Sequence, residues 1–392
     1  MLHRACQRQA PTAYGTVGVP AAGPFSVAPG ELPRSPLPAP RSPLPVTLGL
    51  VYDRFGDAPP PPDAPPDWDA EYEPEATIAA LEAAVRRLGH TPVRLGNVPA
   101  LLARMAGGPL GVDAAVSIAE SGGSRNREAH APVLLELAGV PCLFSDALAL
   151  SVSLDKALTK TLARAAGVAT PEWAVLTLRE PVAPRLPFPV FVKPRYEGTA
   201  KGIGPTSRCA DAAALAHEAA RQHALYRQDL IVEAFVEGAE FTVGVVGTGA
   251  SARALPALQR AVEAETGIGL HALEPRGGHG QPHEAPDAPY AYRLDGVLDA
   301  DLEAALHRDA LAVHRALDLA DVSRSDFRVD ADGRPWFIEV NPLPTFAPDG
   351  TFAILAELDG QPYDAFLADL LAMGLARLGL HPARPNAAAS RA

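Results

Sequence analysis

Of the 34 lysines and arginines in this chain only four are lysines, Lys156, Lys160, Lys193 and Lys201, all within one 46-residue span. An arginine-biased sequence keeps lysine where a compact ammonium does what a planar guanidinium does not, such as meeting phosphate as a point charge. Lys193 follows the apolar run "FPVFV" and precedes Pro194, a setting that favours a buried functional role. Lys160 fits a solvated helix face equally well. The segment "YEGTAKGIG" (196–204) adds three glycines, a threonine and Lys201. Small residues let backbone N–H groups approach phosphate oxygens. It matches neither the P-loop nor the dinucleotide fingerprint, so by itself it also fits a plain flexible loop.

A second constellation lies at "SRSDFRVDADGRPWFIEVNPLP" (323–344). The turn "DADG" predicts a hairpin, and pairing about it sets Arg324 opposite Glu339 and Asp326 opposite Phe337. Side chains two apart share a face, so Arg324, Asp326, Glu339 and Asn341 project together. Phe327, Val329, Trp336, Ile338 and Val340 then cover the other face. Two carboxylates, an amide oxygen and a cation suit a hard divalent ion, which takes oxygen ligands and completes its shell with substrate phosphates. Two such ions about 4 Å apart can share one carboxylate. An amphipathic hairpin with its polar face in water remains the competing explanation of this stretch.

"DLIVEAFVEGAEFTVGVVG" (229–247) carries Glu233, Glu237 and Glu240 among β-formers. Backbone amides of 233–236 could meet a base and a carboxylate the ribose hydroxyls, although a strand–turn–strand with acids in water explains it as well. The eleven histidines show no metal-ligand spacing. His271, His279 and His283 read as solvated loop residues. No nucleophile elbow or Cys/His pair stands out.

Strands and helices must position these groups. "VTLGLVYD" (46–53), helix 74–90, "TPVRLG", helix 97–106, strand 111–120, a helix ending at Gly139 and "VPCLF" alternate at βαβ spacing, which predicts a mainly parallel sheet over 46–145. A helix over 146–167 then leads to strands "EWAVLT" and "FPVFVKP", helix 210–227 and strand "DLIVEAFV", a central unit over 146–232. The remainder, 233–380, reads as strands "EFTVGVVG" and "ARALPALQRAVE", a Gly/Pro/His-rich loop (265–298), helix 299–318, the hairpin and helix 363–378. The Pro-rich 1–45 and the last residues, 381–392, read as disordered tails. At 392 residues, 47% hydrophobic and 20% charged, the composition is that of an ordinary globular protein. A net charge of -12 argues against nucleic acid or anionic membrane as a partner. No apolar run approaches the ~20 residues of a membrane span. Three scattered cysteines fit neither a disulfide framework nor a zinc site, and point to the cytoplasm.

Taken together, "SLDKALTK", "FVKPRYEGTAKGIG", "IVEAFVEGAEFTVGVVG" and "DFRVDADGRPWFIEVNPLP" resemble the ATP-grasp enzymes, most closely the D-alanine–D-alanine ligase branch, over roughly 110–360. The resemblance implies an α/β protein with the ATP-grasp fold in three domains, an N-terminal parallel-sheet domain and two α+β lobes enclosing ATP. By position it makes Lys156 and Lys193 the nucleotide-phosphate lysines. Glu233, Ala234 and Val236 become the adenine segment and Glu240 the ribose ligand. Thr199 belongs to the loop over the phosphates, and Arg324 stabilises the oxyanion. Asp326, Glu339 and Asn341 hold two magnesium ions, with manganese an alternative. The implied reaction is ATP-dependent ligation of a carboxylate to an amine through an acyl phosphate. Small amino-acid-like substrates are its partners, and a homodimer is compatible with it.

The chain departs from the family's pattern in the substrate region. Thr345 stands where glycine is usual after "EVNPLP", and Gly350, with Thr351 beside it, where a serine binds the acceptor's carboxylate. No loop lysine is present, leaving Arg260 or Arg276 to serve, or no residue at all. "AESGGSRNREA" (119–129) replaces a His-Gly…Gly-Glu-Asp-Gly segment, and Asn126, Arg127 and Glu128 are candidate substrate contacts there. Two alternatives stand beside the ligase reading: a true D-alanine–D-alanine ligase of peptidoglycan synthesis, and an ATP-binding protein without ligase activity.

Overall fold

The computed structural model describes residues 45–179, 185–273, 291–294 and 296–380. His279, His283, Arg276 and nearly all of both expected tails lie outside the described residues.

A four-stranded parallel sheet comes first, in the order β2-β1-β3-β4. Its strands are β1 (Thr47–Tyr52), β2 (Thr91–Gly96), β3 (Ala114–Ile118) and β4 (Cys142–Leu143). Helices α1 (Glu75–Arg87), α2 (Val98–Ala106) and α3 (His130–Leu137) supply the crossovers. β1 and β3 are buried on both faces, which is why they read as unbroken apolar runs. Asn97 starts α2 by accepting from the Ala100 amide.

The helix expected over 146–167 is two helices, α4 (Ala147–Leu154) and α5 (Lys156–Ala165). The break is Asp155, whose backbone is extended and whose carboxylate accepts from the amides of Ala157 and Leu158. An aspartate gains more as a cap than inside a helix, so an apolar-periodic stretch splits at it. The consequence is that α5 begins with Lys156.

The second sheet, β5-β8-β6-β7, is antiparallel: β5 (Trp173–Leu176), β6 (Val190–Pro194), β7 (Arg208–Cys209) and β8 (Leu230–Ala234). Helix α6 (Ala212–Tyr226) covers it, burying Leu215 and Ala219 against Val190, Val192 and Val232. The third sheet, also antiparallel, runs β10-β9-β14-β15 with β11 paired to β9. These are β9 (Ala239–Val246), β10 (Arg253–Ala254), β11 (Leu258–Arg260), β14 (Val322–Val329) and β15 (Pro335–Asn341). A two-stranded ribbon of β12 (Val262–Glu263) and β13 (Tyr292–Arg293) and the short α7 (Leu270–Leu273) lie beside it. The single strand expected over 252–263 is thus three short ones; Pro256, which lacks an N–H for the ladder, separates β10 from β11.

Helix α8 (Ala300–Ala316) packs Leu306, Ala310 and Val313 on the third sheet with Phe241, Phe327 and Phe337. Each fully buried side chain of this size stabilises by roughly 2–3 kcal/mol relative to exposure. The last helices, α9 (Thr351–Leu358) and α10 (Tyr363–Arg377), turn back to the first sheet. There Phe352, Leu355, Phe366 and Leu370 join Leu48, Leu50 and Val116 in one core.

The hairpin β14–β15 forms, in a different register. Arg324 faces Asn341 and Asp326 faces Glu339, then the pairing shifts so that Phe327 faces Phe337. The loop between the strands is longer than the expected turn, with Gly333 at φ 76°, and Ile338 is an extra residue on β15. A bulge re-aims everything on one side of it. Phe337 therefore takes the core position expected of Trp336 and Ile338, and Ile338 faces the cleft described below. Arg324, Asp326, Glu339 and Asn341 still share a face.

Candidate active site

A cleft lies between the second and third sheets, lined by residues of both. One end is apolar: Pro171, Phe191, Ile203, Phe235, Ile268 and Ile338. Phe191 and Phe235 stack with centroids 6.0 Å apart, leaving a flat aromatic wall. Ala234 and Val236 line this end. The Ala234 and Phe235 amides are spent on the carbonyls of Glu172 and Pro189. Among the described residues the Val236 amide has no such partner, so of the expected backbone donors it is the one left for a base.

The other end is a chain of alternating charges. Lys160 Nζ lies 2.5 Å from Glu233, Glu233 lies 3.3 Å from Lys193, Lys193 3.2 Å from Glu339, and Glu339 3.6 Å from Lys156. All four lysines of the chain are more than nine-tenths buried. Burial raises the Glu339 carboxyl, but Lys193 and Lys156 outweigh it and hold the group well below the usual carboxylate range. Glu233 is likewise lowered, against burial, by Lys160 and Lys193. Burial alone would lower Lys193; the two acids raise it. Lys160 is lowered by burial, with Glu233 opposing. Its ammonium also donates to Thr170 and the Phe337 carbonyl, so it serves as an internal strut and not as a cleft lysine.

On β14, beside Glu339, Arg324 donates to Asp326 at 3.1 Å, and Thr242 donates to the other oxygen of Asp326 at 2.7 Å. Glu240 pairs with Arg328 at 3.3 Å, and His271 Nδ1 lies 3.2 Å from it. Arg328 also donates to the carbonyls of Val236, Gly238 and Gly267, tying the base-side segment to the hairpin. Asn341 is on the Arg324 side, its Oδ1 accepting from the Leu343 amide. No group of three His, Cys, Asp or Glu placed to hold a metal occurs among the described residues. Asp326 and Glu339 directly opposed across two strands, with an amide oxygen nearby, nevertheless fit the ligand set of an ion completed by phosphate oxygens.

Segment 196–204 roofs the cleft with Thr199 and Ala200, both in the left-handed region at φ 49° and 58°. The loop is not free. Glu71, from the Pro-rich stretch before α1, accepts from the Gly198 amide at 2.7 Å and pairs with Lys201 at 3.2 Å and Arg127 at 2.5 Å. Arg127 donates in turn to the Tyr196 carbonyl, and Asp67 accepts from the Gly202 amide. Burial opposes the Glu71 charge, yet Arg127 and Lys201 hold the carboxyl at about 2. Lys156 donates to the Glu197 carbonyl and joins loop to hairpin.

The structure thus brings Lys156, Lys193, Thr199, Glu233, Ala234, Val236, Glu240, Arg324, Asp326 and Glu339 around one cleft or in contact with its wall. Of the candidate substrate contacts, Arg127 and Glu128 are buried in the network of the first lobe and Asn126 is exposed. Thr345 donates to Glu73, and Arg260 to Thr242 and Thr351. Sequence reasoning passed over Arg328 and Glu71. Arg328 sits two residues after Asp326, a spacing that could have disclosed it. Glu71 lies in a proline-rich loop with no periodicity, and nothing local marks it.

The family model for the D-ala D-ala ligase C-terminus matches residues 162–372. The chain is 30% identical over 345 residues to the uncharacterized protein y4sG of Sinorhizobium fredii, covering 82% of this chain and 92% of that one. It is 32% identical to the D-alanine–D-alanine ligase of Cupriavidus necator, over 64% of this chain and 72% of the relative. In fold it is similar to the D-alanine–D-alanine ligase of Bacillus anthracis solved with ATP, with a TM-score of 0.61, 19% identity, and coverage of 85% of this chain and 98% of that one. The VanG D-Ala:D-Ser ligase of Enterococcus faecalis superposes with a TM-score of 0.62 at 15% identity, over 84% and 99% of the two chains. The charged cleft between two antiparallel sheets, the hairpin acids and the matching family model agree: the chain belongs to the D-alanine–D-alanine ligase family of ATP-grasp ligases.

Proposed function

We propose that this chain joins a carboxylate to an amine at the expense of ATP, with amino-acid-like substrates other than two D-alanines. The observation that supports it is the run Glu233–Lys193–Glu339–Lys156 ending at the hairpin acids, with an aromatic-walled cavity at the other end. In this reading the base lies between Phe191, Phe235 and Ile338 beside the Val236 amide, Glu240 meets the ribose, and Lys156, Lys193 and Thr199 face the phosphates. Asp326, Glu339 and Asn341 would hold magnesium, which offsets charge on the transferred group. A carboxylate oxygen of the acid substrate attacks the γ-phosphorus and the bond to ADP breaks. The amine nitrogen then attacks the acyl carbon, phosphate leaves, and the nitrogen gives up a proton. Arg324 faces the oxyanion of that second step. We divide the molecule into lobes at 46–145, 146–232 and 233–380, place the substrates where the first meets the other two, and place the protein in the cytoplasm.

Gly350 supports the preference for other substrates, because it replaces the serine that binds the acceptor's carboxylate, and Thr345 adds to it by replacing the glycine whose N–H helps form the oxyanion hole. ADP release measured across pairs of amino acids, with each product weighed by mass spectrometry, tests this. ADP formed with D-alanine alone would return the assignment to a D-alanine–D-alanine ligase. No ADP with any pair would leave an ATP-binding protein.

A further inference from the structure

A second and larger cleft lies on the far side of segment 196–204 from the nucleotide cavity. Its floor is the segment that follows β3, Ser121 to Arg125. Because the sheet order is β2-β1-β3-β4, the chain winds outward in opposite directions from β1 and β3. Between two such strands, at their carboxyl ends, the loops part and leave a crevice where open α/β sheets bind ligands. Asp53 at the end of β1 accepts from the Ser121 amide at 2.7 Å and fixes the mouth of that crevice.

The walls have a definite chemistry. Trp68, Tyr72, Tyr196 and Tyr226 line it. Five cationic residues line it against two acids, Glu197 and Asp229, in a chain whose net charge is -12. Lys201 and Arg127 are committed to Glu71, and Arg227 has Asp63 at 3.4 Å. Arg125 and Arg179 have no carboxylate within reach among the described residues. Arg125 instead lies over the Tyr196 ring, 5.4 Å from its centroid, a ring that Arg195 also overlies at 5.0 Å. Unneutralised guanidinium groups beside aromatic faces suit a ligand that carries both a carboxylate and a flat ring.

We propose that this cleft binds a peptide-sized acidic substrate, its carboxylate toward Arg125 and Arg179 and its ring among Trp68, Tyr196 and Tyr226. The assignment rests on the ligase reading only for the word substrate; the binding itself does not. It places a molecule bulkier than alanine against the face of the loop opposite the nucleotide, because Tyr196, Glu197 and Lys201 of segment 196–204 line this cleft while Thr199, Ala200 and Ile203 line the other.

The test is a titration of the whole protein with the dipeptide aspartyl-phenylalanine, followed by tryptophan fluorescence, with alanyl-alanine as the neutral control. Aspartyl-phenylalanine is expected to give a saturable change that alanyl-alanine does not, and Trp68→Phe is expected to remove it. The pair Arg125→Ala and Arg179→Ala should weaken binding about tenfold, the scale of one charge-assisted hydrogen bond. Unchanged binding of a fluorescent ATP analogue to the variants shows that they are folded. Equal binding of both dipeptides, no saturable binding, or parental affinity in the arginine variant overturns the proposal. The titration needs no turnover, so absence of ADP release in the amino-acid screen bears on the proposed reaction and not on this cleft.

Discussion

The two clefts that share segment 196–204 are built on opposite plans. In the cleft between the second and third sheets the charged groups stand on strands and on helix α5, and each faces an opposite charge, Glu233 between Lys160 and Lys193, Glu339 between Lys193 and Lys156. In the cleft beyond segment 196–204 the charged groups stand mostly on loops, and Arg125 and Arg179 face no acid among the described residues. The difference teaches what each cleft is ready for. Side chains held by a ladder and by each other are set before the ligand arrives, which is what transfer of a phosphoryl group requires. Guanidinium groups on loops have still to find their anion, which suits recognition of a variable substrate.

The sharpest way to break this comparison is Glu339→Gln. It removes one proposed metal ligand and leaves Lys193 and Lys156 without their shared carboxylate. Substrate-dependent ADP formation should fall at least a hundredfold, the scale of losing one electrostatic contact to a transition state, with circular dichroism unchanged. Turnover near the parental rate would mean the paired end of the molecule is merely structural.

Lys193→Arg tests whether the arrangement needs an ammonium or only a charge. A planar group cannot meet Glu233 and Glu339 as a point charge does, so nucleotide affinity should drop roughly tenfold. Equal affinity, measured by calorimetry, would remove the significance of the lysine cluster.

The loop between the clefts is addressed by Glu71→Gln. With its carboxyl held at about 2, Glu71 contributes stability that is present in full above the ordinary value of 4.5 and fades as the pH falls toward 2. The variant should lose on the order of 3 kcal/mol at neutral pH, as when one partner of a buried ion pair is removed. Its melting temperature should also depend less on pH between about 4.5 and 3. A parental profile would show that the loop does not depend on this anchor.

Glu73 should give the smallest effect and the opposite slope. Burial pushes its carboxyl up to about 7, against hydrogen bonds from Thr77 and Thr345. A group raised in this way favours the folded state below 4.5, and that contribution is lost as the pH rises through 7. Glu73→Gln should therefore raise the melting temperature by a few degrees at pH 8 and leave it unchanged at pH 4.5. Identical melts at both values would place that carboxylate in water.

The sequence alone determined the parallel first sheet, because strands buried on both faces are continuous apolar runs separated by helical spacing. It also determined that Arg324, Asp326, Glu339 and Asn341 share a face, because alternation along a strand is a property of the backbone. Tertiary structure decided the rest. The bulge at Ile338 exchanged Phe337 for Trp336 in the core, a choice made by packing against Phe327 and α8 and not by the local pattern. Asp155 split one helix into two because a cap competes with helix propagation only once its neighbours are in place. Glu71 reached Gly198 and Lys201 across more than a hundred residues of chain. No spacing rule spans such a distance, so only the folded molecule joins that carboxylate to the loop.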